Sequence, residues 1–183
     1  MKLDILLEKP KDKILWILFA VNLVLFLVLF LGVFPLLSTV FPPGYDLFAV
    51  KNAWTKAKMD LILAAWTPVM LETMIILHVV DFFFMAVYGL LLASGLILVA
   101  RKLNQSEKLQ KFYLIIFNFS WIAVLLDVIE GIFLYSIFFN TTSYSELNVI
   151  GANLSAMMCL VFFYPSLILI LIGFIIVFIK SRK

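Results

Sequence analysis

The sequence predicts an all-α integral membrane protein: a bundle of four transmembrane helices with an amphipathic helix or small cap in the first external loop. Three observations lead there. The 183 residues are 65% hydrophobic and 14% charged, with mean hydropathy +1.16, whereas soluble domains are about 45–50% apolar and about 25% charged. Four apolar stretches reach the roughly 20 residues that cross a bilayer. Charge, proline or a polar loop marks each of their ends.

The first span covers residues 14–34, "ILWILFAVNLVLFLVLFLGVF". Lys9, Lys11 and Lys13 precede it, as they would a secretory signal. Its apolar run of about 21 residues exceeds the ~7–15 of a signal core, and no A-x-A-like site follows. It reads as a retained anchor. The link after it, residues 35–72, is too long for a simple turn, and Pro42-Pro43-Gly44 ends any helix continuing into it. Beyond that break, in the external segment 45–66, Leu47, Val50, Trp54, Ala57 and Leu61 recur at helical spacing, with Lys51, Lys58 and Asp60 elsewhere. Such a segment lies on the outer membrane surface or packs on the bundle as a cap. Trp54 and Trp66 suit either.

The second span covers residues 73–100 and the third 112–139. The short polar link "RKLNQSEKLQK" makes them an antiparallel hairpin. "NTTSYSELN" joins the third to the fourth, residues 149–179. There is no internal repeat, and residues 1–183 read as a single membrane domain.

Orientation follows from lysine and arginine. Lys2, Lys9, Lys11 and Lys13 precede span one; Arg101, Lys102, Lys108 and Lys111 fill the middle link; Lys180, Arg182 and Lys183 close the chain. The third link has no basic residue. The positive-inside rule therefore puts both termini and the middle link in the cytoplasm, the cell membrane being the expected site. Lys51, Lys56 and Lys58, in the first external link, are outvoted exceptions. The net charge of +3 then reports topology and contact with membrane lipids, not nucleic acid, since no basic face interleaved with aromatics is present. The single cysteine, Cys159, excludes an internal disulfide and a multi-cysteine metal cluster. Asn140-Thr141-Thr142 is a glycosylation sequon in an external loop.

The residues that ask for an explanation are acidic. A charge at the bilayer centre costs on the order of 2.5–3.5 kcal/mol on insertion scales, yet Asp81, Asp127 and Glu130 all fall within spans, with the only histidine, His78, one turn before Asp81. At about 100° per residue, His78, Asp81, Met85 and Tyr88 share one face of span two, and Ser120, Asp127, Glu130 and Leu134 one face of span three. At ~1.5 Å per residue Asp81 lies roughly 10 Å and Glu130 roughly 12 Å from the outer ends. Two polar faces thus meet in the outer half of the membrane, Asp127 a turn deeper. Span four adds Ser155, Cys159, Ser166 and Gly173, with Asn153 near its outer end. These small groups, like Gly89, Gly131 and Gly151, are first of all sites of close helix packing.

Buried carboxylates can form a structural network and stay protonated, because desolvation favours the neutral form. They can also share a proton, bind a cationic headgroup or pass cations. His78, Asp81 and Glu130 are a workable but incomplete metal set, with no second histidine and no H-E-x-x-H. No hydrolase elbow or phosphate loop is present, so neither a catalytic residue nor a cofactor is assigned.

"DFFFMAVYG" (Asp81 to Gly89) and "LLDVIEG" (Leu125 to Gly131) resemble the motifs of a group of small, uncharacterised four-helix membrane proteins of bacteria and archaea. That group carries Asp and Tyr-Gly on its second span and Asp-x-x-Glu-Asn on its third. The resemblance implies that Asp81, Tyr88, Gly89, Asp127 and Glu130 are the matching positions, with Gly131 in place of Asn and Ala86 in place of Pro. It implies no activity.

The expectation is a membrane protein that binds or moves a small polar, cationic or lipid-headgroup ligand through Asp81, Asp127 and Glu130, with His78 and Tyr88 as polar partners. Its rivals are an intramembrane lipid-modifying enzyme, with or without a metal, and an assembly subunit. The assembly subunit would pair its acids with a basic partner helix or act in a homo-oligomer, because the spans themselves hold no interior lysine or arginine.

Overall fold

A computed structural model describes residues 5–103 and 106–181. Of the basic residues used for orientation, Lys2, Arg182 and Lys183 lie outside these residues, and so does the side chain of Lys180. The described residues are helical throughout, joined by turns and short loops, with no strand.

The helices are α1 (Ile5–Glu8), α2 (Asp12–Val28), α3 (Phe34–Ser38), α4 (Leu47–Val50), α5 (Lys56–Ala64), α6 (Pro68–Lys102), α7 (Glu107–Phe139) and α8 (Glu146–Ser181). Four are long and apolar enough to cross a membrane: Asp12–Ser38, Pro68–Lys102, Glu107–Phe139 and Glu146–Ile179. The four-span, all-α bundle of the sequence reading is therefore what the chain forms.

Local chemistry sets the ends. Between α2 and α3 a π-helical turn, Leu29–Val33, has the Phe34 N–H reaching back to the Leu29 carbonyl. Pro35 lacks an N–H and would clash with the carbonyl a turn back, and widening that turn relieves the clash. The second span starts five residues before its apolar run, because Thr67 caps α6 by accepting from the Met70 N–H (3.3 Å) and Pro68 follows at the first helical position. Ser145 and Asn148 cap α8 reciprocally. The Asn148 N–H donates to Ser145 Oγ at 3.4 Å and the Ser145 N–H to Asn148 Oδ1 at 3.0 Å.

By its internal contacts the chain divides into two compact units, and the division falls within all four long helices. The first unit comprises residues 1–26, 86–124 and 160–183. Its core is built from α6 residues such as Leu92, Leu96 and Leu98 with Tyr113, Phe117 and Ile170. A Cβ at Gly173 would stand 2.3 Å from a Val99 methyl, so only glycine permits that approach of α8 to α6. Arg101 ties the amino-terminal segment to the end of α6. It donates to the Leu6 carbonyl at 2.8 and 3.1 Å and to Asp12 Oδ1 at 2.6 Å.

The second unit comprises residues 27–85 and 125–159. Its core joins Val50, Ala53, Met59 and Ile62 of the first link to Met74 and Leu77 of α6, Leu134, Ile137 and Phe138 of α7, and Val149 and Ala152 of α8. The first link is thus a cap packed on helices, the second of the two arrangements expected of it.

The stripe expected across residues 45–66 needs correction. Of its members only Val50 is buried; Trp54, Ala57 and Leu61 are exposed and Leu47 is half-buried. The cause is a break in the helix. Asp46 caps α4, the chain turns at residues 51–55, and Thr55 caps a new helix by accepting from the Lys58 N–H at 3.3 Å. The restart resets the phase, so Met59 and Ile62 face inward.

Candidate functional site

The candidate site lies within the second unit. Asp81 on α6 and Glu130 on α7 are both buried, and so is Asp127, one turn before Glu130. One close approach brings the two helices carrying them together, and a second brings α8 onto α7. Gly131 accepts the Phe82 ring, leaving 2.9 Å to a would-be Cβ, and Gly151 of α8 accepts Phe133 at 2.6 Å.

The group that completes the site is one the sequence reading set aside. Lys51, in the turn between α4 and α5, extends its side chain into the bundle. Its Nζ lies 2.9 Å from Glu130 Oε1 and 3.7 Å from Asp81 Oδ2. The Glu130 contact is an ion pair by distance, although its angles are not those of a hydrogen bond. Side-chain exposure falls along the set, from 26% for Lys51 to 10% for Asp81 and 3% for Glu130. Burial alone would lower the Lys51 pKa, but the carboxylates of Asp81, Glu130 and Asp127 outweigh it and hold it above the ordinary lysine value. Lys51 is therefore a cation here.

The turn that delivers Lys51 is firmly built. Val50 and Ala53, on either side, are fully buried. The Lys51 N–H donates to the Leu47 carbonyl and the Ala53 N–H to the Val50 carbonyl, both at 3.0 Å. Asn153 of α8 donates its amide to the Ala53 carbonyl at 3.2 Å, and Lys58 Nζ donates to the Asn52 carbonyl at 2.9 Å. Further along the cap, Tyr144 donates its hydroxyl to Asp60, which also accepts from Lys56 at 2.8 Å.

His78 is 1% exposed and set edge-on to the rings of Tyr135 and Phe138, with centroids 5.7 and 5.1 Å away. Neither ring nitrogen has a hydrogen-bond partner. The Met74 carbonyl lies near the ring without the alignment of a bond, and the charges of Asp81 and Lys51 are both felt there. An unpartnered buried imidazole is uncommon and costly.

Tyr88 is buried in the first unit, its ring edge-on to Phe163 at 5.3 Å. The metal set of His78, Asp81 and Glu130 is not assembled: among the described residues no three of His, Cys, Asp and Glu converge to hold an ion. A lysine ammonium stands between the two acids instead. Asn140 is exposed at the end of α7 and donates its side-chain amide to the Ser136 carbonyl at 3.2 Å. A cleft of about 280 Å³ opens on the second unit away from the acids, lined by Leu63, Trp66, Thr67, Pro68, Leu71 and Thr141.

Four helices of membrane-spanning length and composition define a multi-pass membrane protein. Comparison with known protein families, with curated proteins and with solved structures returns no match to the chain.

Proposed function

We propose that this protein binds or moves a small polar or cationic group, dissolved or on a lipid headgroup, at a buried acidic site formed by Asp81, Glu130 and Asp127. In this reading the protein sits in the cell membrane with both termini in the cytoplasm, and the site occupies the outer half of the bundle. One observation carries it. Carboxylates from two different helices converge within 4 Å of a single ammonium, with a third acid adding its field.

Asp81 and Glu130 both face the Lys51 ammonium and Asp127 adds its field, so the arrangement favours an ammonium-like cation or a proton. Lys51 also bears on the assembly-subunit reading. The acids have a basic partner from their own chain and do not require one from another protein.

The reading is tested by native mass spectrometry of protein released from mild detergent. Wild type is expected to retain a small amine or an amine-bearing lipid, and Asp81→Asn with Glu130→Gln to lose it while keeping its helical content. Equal retention by the double variant would refute the site.

A further inference from the structure

Resting on that reading, we infer that Lys51 is a tethered occupant of the ligand's place, and that the group the ligand puts there is a primary ammonium. Lys51 shows what chemistry the site accepts: an R–NH₃⁺ group between Asp81 Oδ2 and Glu130 Oε1. A primary ammonium has three N–H donors. The Lys51 ammonium lies at ion-pair distance from Glu130 Oε1 yet leaves that oxygen without a hydrogen bond. A third acceptor is left over nearby, because His78 lies one turn before Asp81 on the same helical face with both nitrogens unpartnered. A free ammonium, not constrained by a four-carbon stem, is able to address all three acceptors. A quaternary ammonium has no N–H to give them, and a divalent ion lacks a converged ligand set.

Lys51 is suited to withdrawal. It sits on a turn rather than a span, and its side chain keeps a quarter of its surface exposed while both acids are closed off. Swinging the stem outward releases the site without moving α6 or α7. The incoming ammonium thus exchanges for the resident one at constant charge, and Lys51 sets the threshold affinity as an intramolecular competitor.

The experiment uses ethylammonium chloride as probe, at fixed ionic strength, with purified full-length protein in detergent. By calorimetry Lys51→Met is expected to bind ethylammonium at least tenfold more tightly than wild type. Equal, weaker or absent binding by that variant overturns the inference. Adding Asp81→Asn and Glu130→Gln to Lys51→Met is expected to abolish the binding. Binding that survives overturns the acid-site reading, whatever Lys51 does.

Should Lys51→Met not fold, hydrogen exchange of wild type decides. The side-chain ammonium protons of Lys51, followed by NMR of nitrogen-labelled lysine, are expected to exchange several-fold faster with ethylammonium than with sodium at equal concentration. Unchanged exchange, or an equal response to tetramethylammonium, overturns the inference. Two nanodisc arms identify the source. Fast exchange in phosphatidylethanolamine discs but not phosphatidylglycerol discs, with no amine added, assigns the group to a headgroup. Fast exchange only with dissolved ethylammonium assigns it to a soluble amine, and fast exchange in neither arm overturns the inference.

Discussion

Lys51 and His78 are opposite cases of a polar group in an apolar place. Lys51 reaches charge and is held by it; removing it strands Glu130, because breaking a buried pair leaves an uncompensated charge. His78 is buried with neither ring nitrogen in a hydrogen bond. For stability alone an apolar residue of similar size would serve better there. His78→Leu is therefore expected to raise resistance to denaturant by roughly 1–2 kcal/mol, the desolvation cost of an unmade hydrogen bond. A loss of that size instead would show that the ring nitrogens have partners in the folded protein.

At the scale of elements, the long helices and the presence of a cap are legible in the sequence, and the helical phase within the cap is not. Composition and run length find all four spans, and helical phase finds the buried faces: His78, Asp81, Met85 and Tyr88 are all buried, as are Ser120, Asp127, Glu130 and Leu134. Phase fails between residues 45 and 66 because one uninterrupted helix was assumed, when Asp46 and Thr55 each announce a separate start. That error also hid Lys51. On a continuous helix it belongs to the solvent face, whereas on a turn between buried Val50 and Ala53 it points into the bundle. A signal was present, since Lys51 was among the lysines at odds with the orientation rule, while three intramembrane acids lacked a cation. A long stem carrying its charge from an apolar anchor to a distant partner is ordinary lysine behaviour.

The cap has a second tie whose pH dependence follows from its chemistry. Lys56, then Tyr144, hold the Asp60 carboxyl below its ordinary 3.8. A depressed acid contributes stability above its unfolded value, lost as pH falls through the folded one. Burial, then Asp60, raise the Tyr144 phenol above its ordinary 10, so its contribution is lost as pH rises past that value. Docking of α5 is thus expected to hold between about pH 4 and pH 10. Trp66, which donates to the Tyr45 carbonyl at 2.8 Å within the cap, reports on it. In a variant with Trp66 as sole tryptophan, emission should be flat across that window and shift red outside it, and Tyr144→Phe should weaken the acidic limb. A shift centred near pH 7 would contradict the assignment.

At the scale of the whole molecule, burial separates the helices by role. The most apolar stretch of α6 is 72% buried, against 11% for the span that begins at Asp12 and 17% for α8. The exposed residues of those two helices, Val24, Leu31, Leu171 and Ile175 among them, are what a bilayer covers. The helix best shielded from lipid is also the one that carries His78 and Asp81, a placement consistent with the cost of polar groups in hydrocarbon. A loop lysine then reaches spanning-helix acids, so the fold of the first link and the charge balance inside the bundle are one problem. The most direct measurement of that link is a double-mutant cycle on Lys51→Met and Glu130→Gln, read by reversible unfolding of the full chain in mixed micelles. The two substitutions together should cost less than their sum, with a coupling of about 2 kcal/mol, in the range of close charge pairs. Effects that add within about 0.5 kcal/mol, as for independent sites, would mean that Lys51 does not hold these acids.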